Sequence, residues 1–91
     1  MELRHLRYFV ATAEEMSVSK AAERLRVSQP PLSRQIRDLE EEIGTALFDR
    51  TNKRLRLTVA GEFFLQEARK ILNQVERAAR LIQVTGSGRI W

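Results

Sequence analysis

Apolar residues recur at helical spacing along most of the chain. Leu3, Leu6, Phe9, Val10, Ala13 and Met16 fall three or four positions apart, which predicts a first helix with one apolar face. Ser17 is a suitable N-cap for a second, short helix that carries Ala21, Ala22 and Leu25. After a break at residues 26–28, the spacing of Leu32, Ile36, Leu39 and Ile43 predicts a third helix over 29–43, and Gly44 is placed to end it.

The pattern changes after Gly44. Two short segments, 46–50 and 54–57, flank the turn-like tripeptide Thr51-Asn52-Lys53. The second segment alternates basic and apolar residues, which predicts a β-hairpin with Leu55 and Leu57 facing inward and Arg54 and Arg56 facing outward. Two strands alone are marginally stable, so the hairpin is expected to pack against the helices.

The last predicted element is a long helix over 59–83, with Thr58 as its N-cap. From Val59 to Ile82 such a helix is about 36 Å long, more than a domain of this size can cover. We therefore predict that its distal half packs on a second copy of the chain; the alternative is a helix covered wholly by its own domain. The predicted dimerisation residues have the four-and-three spacing of a coiled-coil seam and are Phe64, Ala68, Ile71, Val75, Ala78 and Ile82.

Composition excludes several classes of function. The 91 residues suit one domain, and 43% apolar with 31% charged residues is a globular balance. No cysteine is present, and the single histidine leaves little material for a metal site or a catalytic base. No apolar run approaches the roughly 20 residues that a membrane span needs, and no signal peptide follows Met1. We therefore predict a cytoplasmic protein that is not an enzyme, with no cofactor, no metal and no membrane partner.

Positive charge collects in two segments. Residues 20–37 and 50–56 together carry a net charge of +8, whereas the rest of the chain carries −4. This distribution favours a polyanion as partner, usually duplex DNA or RNA. The alternative is that these basic residues form an ordinary solvated face.

The order of elements is that of a winged helix-turn-helix domain, expected over 1–58 and followed by the linker helix. The predicted fold class is thus mainly α, with three helices, a two-stranded wing and a long dimerising helix. On the third helix, the residues outside the apolar face are Gln29, Ser33, Arg34 and Arg37. Arginine can bond to guanine and glutamine to adenine in a major groove. Ser28 at the helix start suits a phosphate, and the tip Asn52-Lys53-Arg54 suits an adjacent minor groove or the backbone.

Each of these residues also has a plainer interpretation. Ser28 can be a helix cap, and Ser33 a small polar surface residue. Arg37 can pair with a glutamate of its own helix. Arg50 can bridge to an acid inside the domain as readily as it binds phosphate. His5 is predicted to be an ordinary surface residue of the first helix. At the level of function, the alternative is a helical interaction module whose basic face docks an acidic partner.

Several stretches together resemble the DNA-binding domain of LysR-type transcriptional regulators, over residues 1–82. They include Leu3-Arg4-His5-Leu6-Arg7-Tyr8-Phe9-Val10, Ala21-Ala22-Glu23-Arg24-Leu25, Ser28-Gln29-Pro30-Pro31-Leu32-Ser33-Arg34, Leu47-Phe48-Asp49-Arg50 and Leu57-Thr58-Val59-Ala60-Gly61. The resemblance implies a winged helix-turn-helix and a dimerising linker helix. It also implies DNA-facing positions at Ser28, Gln29, Pro30, Ser33, Arg34 and Arg37. Lys53 stands where the family often has a wing arginine, and Arg54 can substitute for it.

The resemblance also carries expectations about the whole regulator. Family members typically bind imperfect palindromes with a T-N11-A core, usually as tetramers. A C-terminal domain binds their small-molecule effector, so the present chain is expected to be a truncated piece of a longer protein. Residues 84–91 are then a hinge or the start of that domain, because Gly88-Arg89-Ile90 resembles its first strand. The amino-acid sequence of residues 1–7 and of Gln29–Arg34 most resembles that of regulators of aromatic-compound degradation.

Overall fold

The computed structural model describes residues 1–51 and 53–86. Within these residues the chain forms four helices and a small antiparallel hairpin. The predicted elements are all found in the predicted order. They are α1 (Leu3–Glu15), α2 (Val18–Leu25), α3 (Gln29–Ile43), β1 (Phe48–Asp49), β2 (Arg56–Leu57) and α4 (Val59–Gly86).

Local signals in the sequence set the helix boundaries. Ser17 Oγ accepts the Lys20 N–H at 3.1 Å and caps α2, and Thr58 Oγ1 accepts the Gly61 N–H at 2.9 Å at the start of α4. Gly44 ends α3 with φ +82°, a left-handed conformation that glycine adopts without strain. Met16 and Arg26 end α1 and α2 in the same left-handed region, with φ of 52° and 59°.

The core forms around Phe9 of α1. Its ring lies 5.3 Å from that of Phe48 and 5.1 Å from that of Phe64, centroid to centroid, so α1, the wing and α4 meet at one residue. Ala21 and Ala22 of α2 are buried and allow close approach of α3. Two members of the predicted α1 stripe, Leu3 and Met16, are exposed at the ends of the helix.

The wing has the predicted orientation. Phe48 pairs with Leu57 and Asp49 with Arg56. Leu55 and Leu57 are half-buried against the core, whereas Arg54 and Arg56 are exposed. Asn52, part of the predicted tip, lies outside the described residues.

Helix α4 packs on the domain only through its first half. Phe64 packs against the core and Ala68 is fully buried within it, and Leu72 marks the last core contact along the helix. The prediction that Ala68 belongs to a dimer seam is therefore wrong, and most of the Phe64 side chain already packs on its own domain. The reason is that the four-and-three spacing does not distinguish packing on a chain's own core from packing on a second copy. Of the remaining predicted residues, Ile71, Ala78 and Ile82 are exposed and Val75 is half-buried.

The helix also runs further than predicted. It continues to Gly86 rather than ending at 83, and the predicted hinge residues 87–91, with Gly88-Arg89-Ile90, lie outside the described residues. Leu81 and Val84 add further exposed apolar side chains to its distal half. Among the helices that the structure describes, none is both long and apolar enough to cross a membrane.

Candidate nucleic-acid interface

Helices α2 and α3 are joined by a three-residue turn that holds α3 with one face outward. Leu32, Ile36 and Leu39 are buried, so the core fixes the rotation of α3 about its axis. The residues that this rotation exposes are the ones expected from the sequence: Gln29, Pro30, Arg34 and Arg37 are exposed and Ser33 is half-buried. Helix α3 thus presents an unobstructed polar face.

An open groove runs between the outer face of α3 and the loop before the wing. We call it the basic groove after its three arginines, although three acids of α3 also line it and balance their formal charge. It is lined by Pro30, Ser33, Arg34, Arg37, Asp38, Glu40, Glu41, Gly44, Thr45, Ala46 and Arg50. The structure therefore brings together Pro30, Ser33 and the arginines at 34, 37 and 50, which the sequence placed on two separate elements.

Lys53 and Arg54 lie elsewhere. They line a second, smaller depression with Leu55 and the α1–α2 junction, Met16, Ser17, Val18 and Ser19. Both side chains are exposed. The wing cations therefore extend the positive surface away from the basic groove rather than adding to it.

The start of α3 differs from the anion site expected there. Ser28 occupies the N-cap position, yet its side chain makes no capping hydrogen bond, so the plainer interpretation of Ser28 as a cap is not observed. Pro30 and Pro31 have no N–H, and the Leu32 N–H is directed to Ser28 O at 3.4 Å. Only the Gln29 N–H of the first turn is left for a phosphate, so the Ser28 hydroxyl and the side chains carry most of the capacity to bind an anion at this end.

Arg34 and Arg37 carry the free positive charge of the basic groove. Neither has an ion-pair partner within residues 1–51 and 53–86. The alternative in which Arg37 pairs with a glutamate of α3 is therefore not observed. Both guanidinium groups keep all their donors available to a ligand.

Arg50 behaves differently, since its acidic partner lies inside the domain as the plainer interpretation expected. Its Nη1 donates to Glu40 Oε1 at 3.1 Å, and its guanidinium lies 5.9 Å from the centroid of the Phe48 ring. The side chain is nevertheless 38% exposed and borders the basic groove. Because a guanidinium has five N–H donors, Arg50 is held in place by Glu40 and still offers donors to a phosphate.

Glu40 is a residue that sequence reasoning missed. It is buried on α3, and its Oε2 accepts the N–H groups of Leu47 and Phe48 at 2.8 and 3.0 Å. One carboxylate therefore fastens the first wing strand and Arg50 to α3. A signal was present, because Glu40 stands four residues after Ile36 and next to Leu39 on the buried face, but it lies in an acidic run typical of a solvated surface.

The beginning of the wing is held by a short local turn. Asp49 Oδ1 accepts the backbone N–H of Thr51 at 2.9 Å and its hydroxyl at 2.6 Å. These two bonds lower the pKa of the Asp49 carboxyl below its ordinary value. The turn keeps Asp49 ionised and fixes Thr51 just after the end of β1.

Arg24, counted among the basic residues of the 20–37 segment, is not free. Its Nη2 donates to Glu14 at 2.8 Å and its Nη1 to Glu15 at 3.3 Å, which raises the pKa of the guanidinium. His5 is also more than a surface residue, because its Nδ1 accepts the Glu2 N–H at 3.0 Å at the start of α1.

The fold and this surface define a DNA-binding domain of the winged helix-turn-helix class. Residues 3–62 match the family described as "Bacterial regulatory helix-turn-helix protein, lysR family", and the chain belongs to that family. AlsR of Bacillus subtilis is 52% identical over 88 residues, covering 97% of this chain and 29% of AlsR. BenM of Acinetobacter baylyi is 54% identical over 77 residues, covering 85% of this chain and 25% of BenM.

A solved structure agrees with the sequence comparison. The DNA-binding domain of BenM in complex with catB site 1 DNA superimposes with a TM-score of 0.94 and 49% identity, over 98% of this chain and 99% of that one. The expectation that the chain is nearest to regulators of aromatic-compound degradation stays a prediction. The chain spans between a quarter and two fifths of the length of the first curated relatives it matches.

Proposed function

We propose that this chain binds duplex DNA sequence-specifically as a homodimer, with α3 in the major groove and the wing, residues 50–56, at the adjacent minor groove or backbone. The observation that carries the proposal is the exposed face of α3, where Arg34 and Arg37 have no partner within residues 1–51 and 53–86. A single α-helix fits the B-DNA major groove, which is about 12 Å wide.

The residues of this surface take different roles in the proposal. Arg34, near the middle of the exposed face, contacts a guanine through O6 and N7, and Gln29 contacts an adjacent base edge. Ser33 and Pro30 lie beside them on the same face of α3, where they line the basic groove. The residues assigned to phosphates, which fix register without reading sequence, are Ser28, Arg37, Arg50, Lys53 and Arg54.

The dimer in this proposal forms through the distal half of α4. Among the described residues, no apolar side chain of α4 beyond Leu72 packs on the core, and the apolar Ile82 is 67% exposed. Exposed apolar side chains on a projecting helix are most readily covered by a second copy. The proposed interface is Ile71, Val75, Ala78 and Ile82, extended by Leu81 and Val84. A two-fold dimer then reads an inverted repeat, which we propose to be of the T-N11-A type.

The proposal extends to the longer regulator of which this family's DNA-binding domain is a part. There we propose a tetramer and a small-molecule effector that acts through a further domain. The contribution of the present chain is DNA recognition and dimerisation, and it is binding rather than catalysis.

The proposal is tested by selecting bound duplexes from a randomised DNA library with the chain at moderate salt. Enrichment of an inverted repeat is the expected result. Arg34→Ala, selected in parallel, is expected to lose preference at one position in each half-site. Binding without enrichment would reduce the function to electrostatic DNA binding, and no binding at all would favour the interaction module with an acidic partner.

A further inference from the structure

An ionic bridge joins α4 to the helix-turn-helix. Glu14 of α1 stands at its centre: Oε2 accepts from Arg69 Nη2 at 2.7 Å and from Arg69 Nε at 3.1 Å, while Oε1 accepts from Arg24 Nη2 at 2.8 Å. We call Glu14, Arg24 and Arg69 the Glu14 bridge. It connects α1, α2 and α4 through one carboxylate, across 55 residues of sequence between Glu14 and Arg69.

The Glu14 bridge lies where α4 leaves the domain. Arg69 comes one turn before Leu72, the last residue of α4 that packs on the core. Beyond it the helix runs on to Gly86, a projection of about 21 Å at 1.5 Å per residue. A tilt of about 5° at the bridge would therefore displace the far end of α4 by about 2 Å, more than half of the 3.4 Å rise of one base pair.

We propose that the Glu14 bridge sets the separation of the two recognition helices in the DNA-bound dimer, and thereby the spacing between half-sites that the protein accepts. The inference rests on the proposed dimer through α4. In such a dimer the two domains are connected only through their α4 helices, so the angle at which each α4 leaves its domain determines where the partner's α3 lies. Glu14 and Arg69 are then positioning residues that act on spacing without touching DNA.

The charge state of Glu14 suits this role. Hydrogen bonds from Arg69 and Arg24 hold the pKa of its carboxyl below the ordinary value. The carboxylate is therefore ionised at neutral pH, and two N–H donors of Arg69, Nε and Nη2, converge on its Oε2 while Arg24 occupies Oε1.

The test measures affinity for a series of inverted repeats in which the half-site spacing departs from the selected optimum by one and two base pairs, and for a single half-site. For Glu14→Gln and for Arg69→Gln we expect the penalty for a one-base-pair change to shrink about three-fold, on the scale of a partly exposed ion pair. Base preference within the half-site and affinity for the single half-site are expected to be unchanged. Glu15→Gln is the matched control, because Glu15 contacts Arg24 but, within the described residues, no residue of α4.

The outcomes separate this inference from the proposed function. If the unmodified chain shows no spacing preference, the dimer proposal fails and the inference fails with it. If the unmodified chain discriminates spacing and both variants discriminate equally well, the inference alone is overturned. Equal weakening on every duplex, the single half-site included, would also overturn it, because the bridge would then support the fold rather than the spacing.

Discussion

Arg34 and Lys53 are both exposed cations, yet their positions predict different contributions to binding. Arg34→Ala is expected to cost about 1–3 kcal/mol on the preferred duplex and to relax preference at one base, because it removes the proposed base contact. Lys53→Ala is expected to weaken binding to all duplexes and to reduce the salt slope by about one, because it removes a phosphate contact. Titrations on preferred and scrambled duplexes at several salt concentrations distinguish the two.

Arg7→Ala is the matched control for both substitutions. Arg7 is an exposed arginine of α1 that lines neither the basic groove nor the depression beside the wing. Equal effects of Arg34→Ala on both duplexes would show that Arg34 does not read a base.

Glu40 is predicted to matter for stability because it satisfies two buried backbone N–H groups. Glu40→Ala removes the acceptor of Leu47 and Phe48, and we expect it to lower the free energy of unfolding by about 2–4 kcal/mol. Glu40→Gln keeps an acceptor oxygen and is expected to lose less. Urea denaturation measures both, with the exposed neighbour substitution Glu41→Gln as control. A Glu40→Ala protein that unfolds at the unmodified midpoint would contradict this role.

Single-residue roles were predictable from sequence where they depend on exposure, and not where they depend on a distant partner. The outward positions of Arg34 and Arg37 follow from the spacing of Leu32, Ile36 and Leu39. The partner of Arg50 could not be chosen from sequence, because Glu40 reaches it only after the chain has turned back through the loop before β1. Tertiary geometry, rather than any local preference, decides that contact.

At the scale of the elements, Gly61 lets α4 lie close to the backbone of Leu47, just before the wing. A Cβ there would collide with the Leu47 carbonyl and lie 3.0 Å from Leu57 Cδ2. That carbonyl is held by the Thr58 N–H at 3.0 Å, so it cannot easily shift. Gly61→Ala is therefore expected to lower the free energy of unfolding by about 1–3 kcal/mol, measured by urea denaturation.

Gly44→Ala provides the contrast for that substitution. A Cβ at Gly44 meets nothing within 4 Å, so only its φ of +82° opposes a side chain. The expected cost there is about 1 kcal/mol. A smaller loss at Gly61 than at Gly44 would contradict close packing between α4 and the chain before the wing.

The Glu14 bridge predicts how the attachment of α4 depends on pH. The folded chain lowers the pKa of Glu14 below 4.5 through Arg69 and Arg24, so the native state holds the ionised form more strongly than the unfolded state does. The resulting stabilisation is fully present above that ordinary value and is lost as pH falls through the lowered native pKa. Below pH 4.5 the free energy of unfolding of the unmodified chain is therefore expected to fall more steeply than that of Glu14→Gln.

Denaturant titrations at a series of acidic pH values measure this difference, with Glu15→Gln as the control. Parallel pH profiles for the unmodified chain and Glu14→Gln would contradict the assignment. The difference in slope is confined to acid, since Glu14 is ionised in both the folded and the unfolded chain at neutral pH, where its stabilisation is constant and complete.

Element boundaries were predictable because the residues that set them act locally. The side chains of Ser17 and Thr58 each accept a backbone N–H three residues further on, and Gly44 adopts a left-handed conformation at the end of α3. What covers an apolar face is not local. Ala68 and Ile82 have the same place in a four-and-three repeat, yet Ala68 is fully buried in its own chain and Ile82 is exposed.

At the scale of the molecule, ion pairs within the chain leave fewer basic side chains free than the sequence suggested. Two of the nine basic residues in the charged segments, Arg24 and Arg50, bond to acids of the same chain. The unpaired cations lie mainly on α3 and at the wing. The free positive charge is therefore concentrated on the elements that we propose contact DNA, while Arg24 is held by Glu14 and Glu15 of α1.

The same scale carries the prediction about dimerisation. Ile82→Asp places a carboxylate where the proposed dimer is apolar, and burying an unpaired charge is strongly unfavourable. Because Ile82 is 67% exposed and lies beyond the core contacts of α4, the fold of each chain is expected to be unaffected. Sedimentation is expected to show a monomer, while Gln83→Asp, at the next and also exposed position, keeps the dimer.

DNA binding by these two variants then tests whether dimerisation accounts for operator affinity. The Ile82→Asp chain retains the whole of α3 and the wing, so its affinity for a single half-site is expected to equal that of the unmodified chain. Its affinity for the inverted repeat should fall nearly to its affinity for a single half-site. The reason is that the two DNA-binding domains are no longer linked in one dimer. An Ile82→Asp chain that still sediments as a dimer would assign the interface to another surface. A monomer that keeps full affinity for the repeat would show that the two domains are brought together by the DNA rather than by α4.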